Sequence, residues 1–233
     1  MSNRSEVEPP DLQVGGFVPF TTVDYPGSLA SVVFCQGCTW GCRYCHNPHL
    51  QSFGKGNFRW ADILPLLAER RNFLEAVVFS GGEPTSQAAL PDAIRTVRAL
   101  GFKVGIHTAG IFPVRLAEIL PLVDWVGLDV KAPFDERYDR TTGRVGSFEA
   151  PAESLRLLLA SGLPYELRTT VHPDLLAPAD LEEISRSLDF LGAQPTKLQR
   201  FRPGGCADQE LLASQPPTSP PQPGQPTPKR LFA

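Results

Sequence analysis

With 233 residues, of which 42% are hydrophobic and 20% charged, the chain is long enough for one sizeable core and has an ordinary globular composition. Its net charge of −3 argues against a nucleic-acid-binding protein, because such proteins usually carry a basic face. No apolar run approaches the ~18 residues that span a bilayer, and the first residues lack the apolar segment of a signal peptide. We therefore expect a cytoplasmic protein that binds neither nucleic acid nor membrane.

Six segments are predicted to form strands, at 30–35, 75–79, 102–106, 125–130, 165–171 and 197–201. The first of them is a short apolar run rich in β-branched and aromatic residues, which is typical of a buried strand. Apolar residues at helical spacing separate them, at 59–71, 90–100, 114–122, 152–161 and 178–191. A short strand and turn are predicted before them, at 17–27. Alternating strands and helices indicate a parallel sheet with crossover helices. Because a complete eight-fold barrel needs about 250 residues, the sequence predicts an α/β fold, a partial (βα)6 TIM-like barrel domain over residues 15–212.

Both ends of the chain differ in composition from this predicted domain. Residues 1–14 are polar and contain Pro9-Pro10, which indicates a flexible lead-in. Prolines recur from Pro216 to Pro228 among Gln, Ser, Thr and Gly. Such a composition buries too little apolar surface to fold, so residues 213–233 are predicted to form a disordered Pro-rich tail. The composition favours a solvated tail over one that docks a partner.

Three thiols fall within eight residues, at Cys38, Cys42 and Cys45. Cysteine thiolates select zinc, copper(I) or iron–sulfur clusters, and three ligands on a four-iron cluster would leave one iron open. A structural zinc site is the alternative, because Cys35 and Cys38 also form a C-x2-C pair. Zinc ribbons, however, place their two pairs roughly 15–20 residues apart, and here only three residues intervene. Disulfides are not expected from five cysteines, an odd number.

Polar groups follow several predicted strands, where parallel α/β folds place their functional residues. Gly81 and Gly82 permit close backbone approach to a ligand, and Glu83 is placed to meet a cation such as an amino group. A plain strand-to-helix turn with Pro84 at the helix start would also explain this segment. Asp129 and Lys131 would lie on one side of an extended strand, although a strand-end ion pair worth little energetically explains them equally well.

The thiol spacing, with Tyr44 just before the last cysteine, resembles the signature of the radical S-adenosylmethionine (SAM) superfamily. The run Thr22-Val-Asp-Tyr-Pro-Gly27 and the sequence Cys45-His-Asn-Pro48 are similar to those of glycyl radical enzyme activating enzymes. Among these, the chain most resembles the anaerobic ribonucleoside-triphosphate reductase activating proteins. The resemblance covers residues 15–203 and leaves out both ends.

This resemblance implies roles for thirteen residues. Cys38, Cys42 and Cys45 would hold one [4Fe–4S] cluster, since no further cysteine lies between Cys45 and Glu83. SAM would be bound by Tyr44, Gly81, Gly82, Glu83 and Thr108. Catalytic contacts to the cofactor and to the substrate peptide are implied for Asp129, Lys131 and Arg168, and further peptide contacts for Asp24 and His46.

The implied reaction begins with reductive cleavage of SAM to methionine and a 5′-deoxyadenosyl radical. The radical would then take a hydrogen from a glycine of a glycyl radical enzyme, here an anaerobic ribonucleoside-triphosphate reductase. A flavodoxin- or ferredoxin-type protein would supply the electron.

One departure from the family pattern and two other functions stay open. Relatives often have Asp-Thr-Asn-Gly after the third strand, whereas this chain has His107-Thr-Ala-Gly110. A small-molecule radical enzyme resembling 7-carboxy-7-deazaguanine synthase would share the cluster loop and the small barrel. A zinc-stabilised interaction module that uses its Pro-rich tail for docking is the non-enzymatic alternative.

Overall fold

Eight strands form a single sheet in the order β3-β1-β2-β4-β5-β6-β7-β8 in a computed structural model that describes residues 11–214. The strands are β1 Gln13–Thr21, β2 Ala30–Cys35, β3 Phe58–Arg59, β4 Ala76–Gly81, β5 Lys103–Thr108, β6 Trp125–Asp129, β7 Tyr165–Val171 and β8 Lys197–Arg200. The helices are α1 Trp60–Glu69, α2 Leu90–Ala99, α3 Pro113–Ile119, α4 Arg137–Thr142, α5 Glu149–Ser161, α6 Pro178–Phe190 and α7 Gln209–Ala213.

The six strands from β2 and β4 to β8 are mutually parallel and follow one another in chain order. They are the six predicted strands, so the α/β partial barrel is confirmed. The first strand, β1, is antiparallel to β2 and extends the sheet at one edge, where it also pairs with the two-residue β3.

The sheet begins two residues before the predicted domain boundary at residue 15. Strand β1 begins at Gln13, and Leu12 and Val14 are buried in the core, so this part of the predicted lead-in belongs to the sheet. Residues 1–10, the rest of that lead-in, lie outside the described part of the chain. The Pro-rich tail from residue 215 onward lies outside it as well.

All five predicted helices are present, with ends within a few residues of the expected positions. Three elements had no prediction: β3, α4 and α7. Each has only two to six residues, too few for a hydrophobic period to be recognised. Among residues 11–214, no helix is long and apolar enough to cross a membrane.

Alternate residues of the strands face two apolar layers. One layer, against the helices, contains Val33, Phe79 and Ile106, and the other, on the inner face of the barrel, contains Val78 and Trp125. Burial on both faces explains why β2, β4 and β6 appear as largely apolar runs in the sequence. A third cluster lies beyond the carboxyl ends of the strands, where Trp40, Tyr44, Tyr138, Leu175, Leu176, Phe201 and Leu211 pack together. This aromatic cluster positions the loop that follows β2.

Candidate active site

The segment that follows β2, residues 36–47 (the thiol loop), is held by backbone hydrogen bonds to distant parts of the chain. The amide of Gly37 donates to the carbonyl of Leu50 at 2.7 Å. On the other side, the amides of Gly41 and Arg43 donate to the carbonyls of Thr142 and Thr141, at 3.1 and 3.0 Å. The last two contacts come from the end of α4, so the loop is fixed at the carboxyl edge of the sheet from both sides.

The three predicted ligand thiols, of Cys38, Cys42 and Cys45, are half-buried in this loop, and all five cysteines of the chain are free. Burial raises the pKa of Cys38 to about 12 and also raises the pKa of Cys42, while the charge of Lys131 partly opposes both effects. Without a metal Cys38 and Cys42 therefore stay neutral, and iron would supply the positive charge that stabilises their thiolates.

The chemistry of the donor set fits an iron–sulfur cluster, because cysteine thiolates are the soft ligands that such clusters take. Among residues 11–214, no three Cys, His, Asp or Glu side chains converge as ligands of one metal ion would. In a four-iron cluster each cysteine binds a different iron atom, so the three thiols need not converge on a single point. The closed tetrahedron that structural zinc requires is not formed by the described side chains.

The Gly-Gly-Glu segment at the end of β4 lies directly against the thiol loop. Gly82 donates its amide to the carbonyl of Cys35 at 2.9 Å, and Glu83 donates its own to the carbonyl of Gly37 at 2.8 Å. A Cβ atom at Gly81, where φ is +118°, would collide with the backbone of Cys35, and one at Gly82 would collide with the carbonyl of Gly37. Both glycines are needed for this close approach, so the predicted proximity of the two motifs is observed.

The carboxylate of Glu83 joins the ends of β4 and β5. It is only 1% exposed, and its Oε1 accepts from the hydroxyls of Thr85 and Thr108, both at 2.6 Å. Its Oε2 accepts the amide of Ala109 at 2.9 Å. Burial raises the pKa of Glu83, and these hydrogen bonds oppose the rise. Because Oε2 accepts a single bond here, it retains a lone pair for a cation.

Asp129, at the end of β6, holds two cations. Arg168 of β7 lies 3.0 Å from Oδ1 of Asp129, and the Nζ of Lys131 lies 3.2 Å from Oδ2. The same Nζ lies 5.3 Å from the ring centre of Tyr44 in the thiol loop, close enough for a cation–π interaction. The predicted Asp-x-Lys pair therefore connects β6 and β7 to the thiol loop.

These charges set each other's protonation states. Burial alone would raise the pKa of Asp129, but Lys131 and Arg168 outweigh it and lower the pKa below its usual value. Burial alone would lower the pKa of Lys131, but the neighbouring carboxylate of Asp129 opposes this, and the pKa lies well above its usual value. The group thus consists of one carboxylate and two cations, with a net positive charge beside the thiol loop.

Asp24 and His46, predicted together as substrate-peptide contacts, lie in different surroundings. Asp24 accepts a hydrogen bond from the hydroxyl of Thr21, and its backbone carbonyl faces Nε2 of His107 at 2.9 Å, on the inner side of β5. His46 is exposed, and its Nδ1 lies against the carbonyl of Gly204 after β8. Asp24 and His46 therefore lie at different edges of the site.

His107, the departure from the family pattern, points into the barrel. Burial and the charge of Arg168 lower its pKa to about 3, so the imidazole is neutral, and the carbonyl of Asp24 identifies Nε2 as its donor nitrogen. An aspartate at this position could not donate that hydrogen bond. The residue therefore fastens the turn after β1 to β5.

A segment after β8, residues 202–211 (the C-terminal strap), covers the thiol loop and was not predicted from the sequence. Nε of Arg43 lies 2.6 Å from Asp208, and Cys206 donates its thiol to the carbonyl of Arg43 at 3.3 Å. Asp208 also accepts the amide of Leu211 and so caps α7. The only sequence signal was Cys206 itself, a cysteine outside the motif.

The fold is a parallel partial barrel with three thiols and a Gly-Gly-Glu turn at one edge of its sheet. These features are typical of enzymes that use an iron–sulfur cluster together with SAM. The family model described as the Radical SAM superfamily matches residues 32–191. The chain belongs to the radical SAM superfamily, and its cofactors are one [4Fe–4S] cluster and SAM.

Within the superfamily, the chain is homologous to glycyl radical enzyme activating enzymes. It is 30% identical over 204 residues to MJ1227 of Methanocaldococcus jannaschii, a protein provisionally named as such an enzyme. The match covers 85% of this chain and 83% of MJ1227. It is 36% identical over 128 residues to the pyruvate formate-lyase-activating enzyme of Clostridium pasteurianum. That match covers 52% of this chain and 53% of the relative, so the chain spans about half the length of this second relative.

Solved structures support the fold. Streptococcus suis SuiB bound to its precursor peptide SuiA superimposes with a TM-score of 0.63 at 12% identity, over 78% of this chain and 44% of SuiB. The structure of anSMEcpe with bound AdoMet gives 0.58 at 14% identity, over 72% of this chain and 49% of that one. At such identities the likeness concerns the fold alone.

Proposed function

We propose that this chain activates a glycyl radical enzyme, an anaerobic ribonucleoside-triphosphate reductase, by removing a hydrogen from the Cα of one glycine. The observation that carries the proposal is the match to the Methanocaldococcus jannaschii protein over 83% of its length. The Asp24-Tyr-Pro-Gly27 and Cys45-His-Asn-Pro48 elements favour the same function over a small-molecule radical enzyme.

In this proposal Cys38, Cys42 and Cys45 bind the cluster. When bound, the cluster would supply the one electron that cleaves SAM into methionine and a 5′-deoxyadenosyl radical. Glu83 binds the amino group of SAM through Oε2, and Gly81 and Gly82 allow the cofactor to approach the backbone.

The group around Asp129 orients the cofactor and the substrate peptide. Asp129 fixes the positions of Lys131 and Arg168 through contacts of 3.2 and 3.0 Å, so the two cations need no reorganisation when an anionic group binds. The net positive charge suits the carboxylate of SAM. Lys131, held in addition by the Tyr44 ring, couples that end of the cofactor to the thiol loop.

Side chains behind the thiol loop exclude water from this chemistry. Trp40 and Tyr44 are buried with Tyr138 of α4 in the aromatic cluster. The ring centres of Trp40 and Tyr138 are 6.0 Å apart in an edge-on arrangement. Exclusion of water on this side protects a reactive intermediate from side reactions.

A flavodoxin- or ferredoxin-type protein is the electron donor that we propose, because the reaction consumes one electron from outside the chain. The reducing cytoplasm is the compartment that we propose, since the chain has five free thiols.

The test is an anaerobic activation assay. The holoenzyme is reduced with SAM present and mixed with the candidate reductase, and the sample is examined by EPR and assayed for 5′-deoxyadenosine. A glycyl radical doublet together with deoxyadenosine supports the proposal. Deoxyadenosine without the doublet would move the substrate to a small molecule, and absence of both products would reject the reaction. Cys42→Ala is the inactive control.

A further inference from the structure

Helix α4 lies against the thiol loop on the side of Cys42. Its last two residues, Thr141 and Thr142, accept through their carbonyls the amides of Arg43 and Gly41. Cys42 therefore lies between two hydrogen bonds to the same helix end. The start of α4 makes contact as well, through the ring of Tyr138.

The hydroxyl of Thr141 has no hydrogen-bond partner. It is the only buried side-chain nitrogen or oxygen in residues 11–214 without one, and Thr141 is 0% exposed. A buried hydroxyl without a partner is costly and is rarely kept without a reason. Thr141 lies three positions after Tyr138, and so shares the helix face that packs on Trp40 and the thiol loop.

Thr142 gives the contrast within the same turn of helix. It is equally buried, but its hydroxyl is paired with the Ser147 hydroxyl at 2.7 Å and donates to the Tyr138 carbonyl at 3.1 Å. Among the described residues, the Thr142 hydroxyl is thus paired within the protein. The hydroxyl of Thr141, whose carbonyl accepts the amide of the residue after Cys42, has no partner.

We propose that the Thr141 hydroxyl donates its hydrogen bond to a sulfur atom of the loaded cluster site, either the Cys42 thiolate or a cluster sulfide. Hydrogen bonds to the sulfurs of such clusters raise their reduction potential, because they stabilise the additional negative charge of the reduced form. Thr141 is therefore a positioning residue that makes the cluster easier to reduce. The inference requires the cluster and does not depend on which partner is activated.

The test uses the reconstituted holoenzyme and a redox titration followed by the EPR signal of the reduced cluster. Thr141→Val has nearly the same shape as threonine but no donor, and we expect it to shift the midpoint potential to more negative values. Thr141→Ser retains the hydroxyl and should restore the wild-type potential. The inference is overturned if Thr141→Val titrates like the wild type, or if Thr141→Ser shifts as far as Thr141→Val does.

A second measurement separates this role from a structural one. In the metal-free protein, Thr141→Val removes an unsatisfied donor, so its urea midpoint should equal or exceed that of the wild type. Thr142→Val is the matched control, and it should lower the urea midpoint and leave the potential unchanged. A lower urea midpoint for metal-free Thr141→Val would mean that the hydroxyl has a partner within the protein, and would also overturn the inference.

Discussion

At the scale of single residues, the five cysteines are expected to separate into two groups. Replacing Cys38, Cys42 or Cys45 by alanine should abolish the visible absorbance and the EPR signal of the cluster, because in the proposed site each thiolate binds a different iron. Cys35→Ala and Cys206→Ala should retain the cluster, since Cys35 is a fully buried thiol at the end of β2 and Cys206 bonds to a backbone carbonyl. A full [4Fe–4S] spectrum in any variant of the first group would contradict the ligand assignment.

His107 is expected to make the protein less stable in mild acid. Its pKa is about 3 in the folded protein and about 6.5 when unfolded, so only the unfolded chain takes up a proton between these values. Stability should therefore fall by about 1.4 kcal/mol for each pH unit below about 6.5.

His107→Gln is the variant that tests this expectation by urea unfolding between pH 7 and 4.5. Glutamine can still donate to the carbonyl of Asp24, but it does not titrate. Its unfolding free energy should decline much less over this range than that of the wild type. Parallel declines for the two proteins would show that His107 is not neutral when buried.

At the scale of elements, the end of α4 is expected to hold the thiol loop. Gly143 ends the helix at φ +71°, and a Cβ atom there would lie 3.2 Å from the carbonyl of Gly41. Gly162 ends α5 at φ +69° and has no neighbour within 4 Å of such an atom. Alanine at either position should cost about 1 kcal/mol of stability from backbone strain.

The two variants should differ in the holoenzyme. Gly143→Ala disturbs the carbonyl of Gly41, next to Cys42, and should reduce the iron retained after reconstitution and desalting. Gly162→Ala should retain as much iron as the wild type. Equal retention by both variants would mean that α4 does not support the loop.

The C-terminal strap is expected to slow the loss of the cluster. Arg43 and Asp208 form a half-buried ion pair with two hydrogen bonds, and Arg43→Gln should weaken it by about 1 kcal/mol, which corresponds to roughly fivefold faster bleaching by an iron chelator. The control is Arg186→Gln, which breaks the exposed pair with Glu183 within the single helix α6. Similar bleaching rates for the two variants would leave the strap without this role.

What could be predicted at this scale depended on length and pattern. Strands β2, β4 and β6 were predictable because burial on both faces makes each of them a largely apolar run. The edge strand β8 is mostly exposed and lacks this pattern. Helix α4 was not, since six residues hold less than two helical turns and its packing on Trp40 depends on a contact distant in sequence. The C-terminal strap was not predicted either, because its polar residues show no periodic pattern of hydrophobicity.

At the scale of the whole molecule, parallel topology explains which parts of the site were predictable. Strands that run the same way bring their carboxyl ends to one edge, which placed the Gly-Gly-Glu segment beside the thiol loop and Asp129 beside Arg168. The position of His107 could not be inferred, because it depends on how the turn around Asp24 folds back into the barrel. Likewise, the lack of a hydrogen-bond partner for the Thr141 hydroxyl depends on the folded structure and could not be predicted from the sequence.

The distant partners of the thiol loop have a consequence for biosynthesis. The loop is ordered by Glu83, by the end of α4 and finally by Asp208, which lies 165 residues after Arg43. During translation the three proposed ligand thiols therefore leave the ribosome long before the residues that position them. We expect cluster insertion to follow synthesis of the chain through Asp208, so that a scaffold or chaperone delivering iron and sulfide would meet a folded barrel and not a nascent segment.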